Sequence, residues 1–321
     1  MKNINVSNKF ISIIIPTYNY SFCILDTIHS VLQQSYKEFE LIVVDDGSKD
    51  DTRAIVSNIK DSRIRYIYQK NQGANVARNR GFHESSGGYL IFLDSDDVLE
   101  KNYLEELLKV AMRNSDANIY GPSKKGYFTD LGFNVLSELG PCPNPDLLES
   151  WIKHDWWIFT SCVFWKRENL VKVGGWDEAL HANQDGDIAM RALIEGIAFI
   201  YAENAPPVLI TSHKNKKPSI SDTKSQKTLN SRYAVFLKLE IILKQKGMLN
   251  AKYQNALGVG YYVLAQSALA DSPEFSEICY RRFREMCGLK KPPGSYLNWI
   301  GILMLGIRNK TRLSNYIGRI F

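Results

Sequence analysis

The feature that most constrains this chain is a rhythm in its first hundred residues: short apolar runs that each stop at polar groups. Phe10 to Ile15 is almost wholly apolar and is ended by Pro16. Phe39 to Val44 is a second such run, and Ile64 to Tyr68 and Tyr89 to Leu93 read as a third and a fourth strand. Runs this short and this apolar are expected for strands buried on both faces. Between them lie segments with helical spacing. Ser21 to Gln34 shows it through Ile24, Leu25, Ile28, Val31 and Leu32, and Lys101 to Asn114 through Leu104, Leu107, Leu108 and Ala111. Asp50 to Ile59 and Ala74 to Glu84 complete the alternation. Strands and helices at these intervals imply βαβ units and an α/β fold, a mainly parallel twisted sheet flanked by helices. Ligands of such sheets bind beyond the carboxyl ends of the strands. That directs attention to Thr17-Tyr18-Asn19, Asp45-Asp46-Gly47-Ser48 and Asp94-Ser95-Asp96-Asp97.

Each of these ends has two readings when taken alone. Three carboxylates at the end of one strand repel one another, and without a cation their pKa values rise. A hard divalent cation relieves the repulsion, and it needs few protein ligands when phosphate oxygens supply the rest. The same tetrapeptide also serves as an acidic turn, with Asp97 beside the positive end of the next helix. Asp45-Asp46-Gly47-Ser48 is a turn signal followed by a helix-capping Asp50, or a carboxylate placed to accept from a pyrimidine N3–H or a ribose hydroxyl. Arg78 falls inside the helix Ala74 to Glu84, whose amino end lies near the same sheet edge. Its planar fork suits a diphosphate; a solvated helical arginine is the alternative.

In order along the chain, the motifs are Ser12-Ile-Ile-Ile-Pro-Thr-Tyr-Asn19, Val44-Asp-Asp-Gly-Ser48, Asn71-Gln-Gly with Ala77-Arg-Asn79 and Gly81, and Gly88-Tyr-Leu-Ile-Phe-Leu-Asp-Ser-Asp-Asp97. Gly174-Gly-Trp-Asp-Glu178 and Gln184-Asp-Gly-Asp187 follow. The ordered set resembles the family 2 glycosyltransferases, which have a GT-A-type, Rossmann-like nucleotide-sugar-binding fold, over residues 9 to 212. The resemblance implies an inverting displacement on a nucleotide-diphosphate sugar, a UDP-sugar by family frequency, with GDP and dTDP as alternatives. It implies that Pro16, Thr17 and Tyr18 line the nucleotide pocket, that Asp46 holds the base, that Arg78 approaches the phosphates, and that Asp94 and Ser95 lie on the nucleotide-sugar side. Asp94 and Asp96 match the Asp-x-Asp pair, Asp96 being the more direct ligand of Mn²⁺ or Mg²⁺. Asp185 matches the general base. Many relatives carry Glu-Asp where this chain has Gln184-Asp185, and Asp187 is a competing carboxylate two residues away. A capping role at the helix that begins near Gly186 is the alternative for both.

Two other enzyme classes fit less well. A dinucleotide oxidoreductase needs Gly-x-Gly-x-x-Gly after the first strand, and a nucleotidyltransferase a Gly-rich basic loop there; Pro16-Thr17-Tyr18-Asn19 is neither. A non-catalytic binding module of the same fold is the rival of another kind, and intact Asp96 and Asp185 argue against it. On the acceptor side, five tryptophans crowd between Trp151 and Trp176. Their indoles serve either core packing or stacking on sugar rings. Trp176 and Asp177, in the segment that resembles an acceptor-side loop, are the candidates for a glycan or lipid-linked oligosaccharide.

The remaining chain sets expectations of organisation. Gly121 to Trp157 reads as loops with a short helix near Asp146 to Lys153, Ser161 to Trp165 as a strand, and Gly186 to Glu195 as a helix closed by Gly196. After a polar stretch, Lys214 to Ser225, three helices are predicted: Gln226 to Lys246, Lys252 to Ala270 and Pro273 to Cys287. The expected division is a catalytic domain at 1–212, with a nucleotide-sugar half at 9–114 and an acceptor half at 115–212, and a helical region at 213–321. Five scattered cysteines without a Cys-x-x-Cys pair suit reduced thiols in the cytosol. The polar start lacks the apolar run of a signal peptide, and no stretch reaches the ~18 apolar residues of a spanning helix. The net charge of +6 sits in the tail, where nine Lys/Arg face Glu285 between Arg281 and Phe321. No nucleic-acid surface is expected. The apolar stretch Tyr296 to Ile307, with basic residues on both sides, suits an interfacial helix on the anionic inner face of the plasma membrane. A buried helix and an oligomer contact are the alternatives.

Overall fold

The computed structural model describes residues 9–129, 132–213, 225–288 and 290–291. They fall into two compact units. One is drawn from Met1–Pro143, Ile158–Leu180 and Gln184–Ser219, the other from Asn144–Trp157, His181–Asn183 and Ile220–Phe321.

The first unit is built on the four apolar runs. They form β1 (Ile11–Thr17), β2 (Phe39–Asp45), β3 (Ile64–Tyr68) and β4 (Tyr89–Phe92). β1 pairs in parallel with β2 and β4, and β2 in parallel with β3. β1 is therefore central, and every one of its residues is buried. On the far side of β4 come β9 (Val163–Lys166), antiparallel to it, then β6 (Asn118–Tyr120) and β10 (Phe199–Tyr201). The seven strands run in the order β10-β6-β9-β4-β1-β2-β3. The connecting helices are α1 (Ile24–Leu32), α2 (Thr52–Asn58), α3 (Ala74–Glu84) and α4 (Tyr103–Arg113). The mainly parallel α/β sheet flanked by helices is the expected architecture. α3 lies so close to the sheet that a Cβ on Gly81 would sit 2.4 Å from the Ile14 side chain. Glycine there lets the helix that carries Arg78 rest directly on β1.

One expectation is corrected. Most of the stretch from Gly121 to Leu139 is not loop but a β-hairpin, β7 (Ser123–Thr129) and β8 (Gly132–Leu139), in a second sheet of order β5-β11-β7-β8. Its other strands are β5 (Val98–Leu99) and β11 (Val208–Thr211). The hairpin escapes sequence reading because β8 has no buried residue and its apolar positions, Phe133, Val135, Leu136 and Leu139, keep no steady period of two. It is closed instead by cross-strand contacts such as Phe128 on Phe133, ring centroids 4.9 Å apart.

The second unit is helical: α5 (Leu147–Lys153), α8 (Gln226–Gln245), α9 (Ala251–Ala268) and α10 (Pro273–Cys287). Three of these helices, α5, α8 and α9, start at a side-chain cap. Asp146 accepts from the Glu149 amide at 2.9 Å, Ser225 from that of Thr228 at 3.2 Å, and Asn250 from those of Lys252 and Tyr253. α9 meets α5 through Gly260, where a Cβ would lie 2.6 Å from the Ile152 carbonyl oxygen. No disulfide joins the five cysteines. No helix among the described residues is long and apolar enough to cross a membrane. The stretch Tyr296 to Ile307 lies outside the described residues.

His154 closes α5 in the left-handed region (φ 58°) with its ring edge-on to Phe236. Burial pushes its imidazole down to about 4, with Arg232 adding to the effect and Asp155 opposing it. The unfolded side chain titrates near 6.5. Below that pH the unfolded chain binds the proton first. The unit is therefore expected to lose roughly 3 kcal/mol as pH falls from about 6.5 to about 4, with no further loss from this group below. His154→Asn tolerates the same backbone and should abolish that component. Denaturation series for both chains check it; a stability difference that stays flat over this range would exclude the effect.

Candidate active site

The loops that follow β1, β2 and β3 are tied into one surface. The Asp46 amide donates to the Thr17 carbonyl (2.8 Å), the Asn19 amide to Ser48 Oγ (2.9 Å), the Lys49 amide to Asn19 Oδ1 (2.8 Å) and the Ser21 amide to Asp50 Oδ2 (2.9 Å). Asn19 adopts φ 57°, which asparagine tolerates. Asp45 is fully buried; it accepts from the Ser48 amide (2.7 Å) and the Tyr66 hydroxyl (2.5 Å). Asp46, expected to hold a base, accepts three hydrogen bonds from the loop after β3. They come from Gln69 Nε2 (2.7 Å), the Gln72 amide (2.9 Å) and the Gly73 amide (2.8 Å). An ionised carboxylate has about four acceptor positions, so room remains for one further donor. Gly47 makes this close approach possible: at φ 87° a Cβ would stand 2.8 Å from the Asn71 nitrogen. Pro16 and Thr17 are buried, Tyr18 is half-buried, and the Thr17 hydroxyl has no hydrogen-bond partner among the described residues.

The acidic end of β4 separates into two kinds of carboxylate. Asp97 is turned inward, accepting from Ser161 Oγ (2.5 Å) and the Thr211 amide (3.1 Å). Burial, reinforced by the charges of Asp96 and Asp94, pushes its pKa well above the ordinary carboxylate value. Asp94 and Asp96 are half-buried. Ser95 is buried and fixed by its carbonyl, which accepts from Thr27 Oγ1 at 3.0 Å. Sequence reasoning missed Tyr20. Burial, then the charges of Asp96 and Asp94, raise its phenol pKa, which puts it in the same electrostatic field. Its place one residue beyond Asn19 was the available signal.

Arg78 joins this acidic end to a segment a hundred residues later. It is only 7% exposed, and its guanidinium donates to Asp94 Oδ1 (2.8 Å), Gln184 Oε1 (3.1 Å) and Asn75 Oδ1 (3.3 Å). It also lies over the Trp176 ring, 4.6 Å from the centroid. Trp176, expected on the acceptor side, is itself only 3% exposed, with Phe92 edge-on at 5.2 Å. Its enclosed ring forms the floor beneath Arg78. Asp177 is half-buried, and its carbonyl accepts from Asn75 Nδ2 at 2.6 Å.

Helix α7 (Gln184–Ile194) separates the two candidate bases. Asp187 is fully buried and accepts from Arg191 Nε (2.9 Å) and NH2 (2.8 Å) one helical turn on. The same arginine donates to the Gly175 carbonyl (2.8 Å) and to the Val173 carbonyl, so Asp187 serves to anchor the loop before the helix. Asp185, half-buried in the first turn, is set beside Arg78 and Asp94. Desolvation pushes its pKa up; its own backbone amide and Arg78 oppose the rise, and Asp94 adds to it. The structure therefore brings Arg78, Asp94, Gln184 and Asp185 together, with Asp96 close to Asp94.

Comparison with known proteins follows the same outline. Residues 12–169 match the family model described as glycosyl transferase family 2. An uncharacterized glycosyltransferase of Haemophilus influenzae is 31% identical over 224 residues, covering 68% of this chain and 74% of the relative. The putative teichuronic acid biosynthesis glycosyltransferase TuaG of Bacillus subtilis is 46% identical over 133 residues, covering 40% of this chain and 49% of TuaG. The chain spans half or less of the length of the first curated relatives it matches. In fold, it is similar to S. aureus TarS 1–349, solved in complex with UDP-GlcNAc: TM-score 0.61, 17% identity, 86% of this chain and 90% of that one covered.

Proposed function

The chain belongs to the family 2 glycosyltransferases, and from that premise we propose that it inverts the anomeric centre of a UDP-sugar with Asp185 as general base. The observation that carries this reading is the Arg78 hub, which sets a carboxylate at the end of β4 beside the start of α7. An acceptor hydroxyl attacks the anomeric carbon, its proton passes to Asp185, and the bond from that carbon to the diphosphate oxygen breaks. A base opposite the leaving group suffices, and no second carboxylate acts as a nucleophile. Arg78 offers its fixed charge to the departing diphosphate.

The donor set fits a divalent cation, Mn²⁺ or Mg²⁺, that arrives with the diphosphate. Asp94 and Asp96 are half-buried neighbours whose charges already raise the pKa of Asp97. Among the described residues no group of three or more His, Cys, Asp or Glu is arranged to hold a metal ion, and a cation held by two carboxylates would take its remaining ligands from the phosphate oxygens. Asp96 would hold the cation, together with the Asp94 oxygen that Arg78 leaves open. Bound there, the cation supplies Lewis-acid neutralisation of the leaving group.

UDP is favoured because TarS, of the same fold, is solved with UDP-GlcNAc. A glycan or lipid-linked glycan of a bacterial surface polysaccharide is favoured as acceptor because TuaG is described as a teichuronic acid enzyme. The basic, apolar tail composition suits work beside a lipid carrier at the inner face of the plasma membrane. Thermal-shift measurements with UDP, GDP and dTDP, with and without Mn²⁺, test the donor side. A rise selective for UDP and larger with Mn²⁺ is expected. A rise independent of metal would remove the cation, and no response to any nucleotide would sink the reading.

A further inference from the structure

α3 grips the segment before α7 with more than Arg78. Asn79 pairs with both backbone groups of Trp176: its Oδ1 accepts from the Trp176 amide (2.9 Å) and its Nδ2 donates to the Trp176 carbonyl (2.9 Å). The same Nδ2 donates to Glu178 Oε1 (2.8 Å). Gly175, at φ 71°, lets the chain come this close, since a Cβ there would stand 2.9 Å from Asn79 Oδ1. From the other side Arg191, on α7, donates to the Gly175 carbonyl and is held by Asp187. The turn 175–178 is thus clasped by α3 on one flank and by α7 on the other. Asp185 sits in the first turn of α7 and Arg78 is the residue before Asn79, so this clasp fixes the spacing between them.

We propose that Asn79 is a positioning residue that holds Asp185 in register with the donor-binding centre by clamping the turn from Trp176 to Glu178. The proposal rests on Asp185 being the general base. Asn79 itself touches no reacting atom. A residue that kept only the fold together would, when changed, lower stability, nucleotide affinity and turnover together. A positioning residue lowers turnover alone, because small misplacements of a reacting group cost rate more than binding.

Asn79→Asp puts a carboxylate against the Trp176 carbonyl and Glu178. It is expected to lower kcat roughly 10- to 100-fold, with UDP Kd and donor KM within about twofold of wild type. Adding Glu178→Gln turns that neighbour into an amide donor, and the double variant should recover part of the lost kcat, the Trp176 carbonyl still facing a carboxylate. Glu178→Gln alone should stay near wild type. If Asn79→Asp does not fold, Asn79→Ser, which adds no charge, carries the same test. Unchanged kcat, or equal losses of kcat and UDP affinity, would overturn the positioning role. So would a double variant no better than Asn79→Asp. A wild-type chain that transfers sugar with Asp185→Asn inactive, but shows no such split at Asn79, defeats this inference alone. A wild-type chain that binds no nucleotide defeats the glycosyltransferase mechanism instead.

Discussion

Asp185→Asn is expected to lower kcat by roughly 10²–10⁴-fold while leaving UDP affinity near that of wild type. The amide keeps the size of the side chain and its place in the first turn of α7 but cannot take a proton. The pH profile gives a second readout. Desolvation raises the Asp185 pKa above the ordinary 3.8, so wild-type kcat/KM should fall as pH drops through a value above 3.8. The same shift fixes the sign of a stability effect. The folded chain binds this proton more tightly than the unfolded chain, so keeping Asp185 ionised costs stability above the raised pKa. Asp185→Asn should therefore be at least as stable as wild type near neutral pH, with the gain vanishing as pH falls towards 3.8. Kinetics and denaturation on the same pair of proteins check both. Transfer at the wild-type rate would exclude Asp185 as base. A loss of stability at neutral pH would show that its carboxylate has a structural partner.

What was legible in the sequence was whatever depends on local periodicity or on order along the chain. The runs that became β1, β2 and β4 are buried almost throughout, and their polar ends mark the site, whereas β3, at the edge of the sheet, has no buried residue. What was not legible depends on contacts between distant residues or on exposure. β8 has no buried face to betray it. The enclosure of Trp176 follows from Arg78, 98 positions earlier, folding over it. That Asp46 ties down the loop after β3 is visible only once Gln69, Gln72 and Gly73 are in place around it. The choice between Asp185 and Asp187 was nearer to hand. Arg191 lies four residues beyond Asp187, the spacing of a helical ion pair, and it marks Asp187 as the structural member.

Arg78→Lys should have the other large effect, and its signature differs from those at Asp185 and Asn79. Lysine keeps the charge but not the planar fork. It cannot reach Asp94, Gln184 and Asn75 at once, as Arg78 does. Asp94 then loses its contact with Arg78, and the start of α7 loses a tie to α3. UDP affinity and kcat are expected to fall together, for a loss in kcat/KM of roughly 10²–10³-fold, the scale of removing one charge-stabilising donor. Stability should fall less than that loss suggests, because the Asp94 side chain is 41% exposed and water replaces the missing partner. The space left above Trp176 is the main structural cost, since the guanidinium covered that ring. Titration of UDP and steady-state kinetics separate the two contributions. If kcat falls while UDP affinity holds, Arg78 acts only through Asp185, as Asn79 does, and the diphosphate lies elsewhere. If affinity falls while kcat holds, the link through Gln184 carries no catalytic weight. Only a joint loss fits an arginine that serves the leaving group and the base from one position.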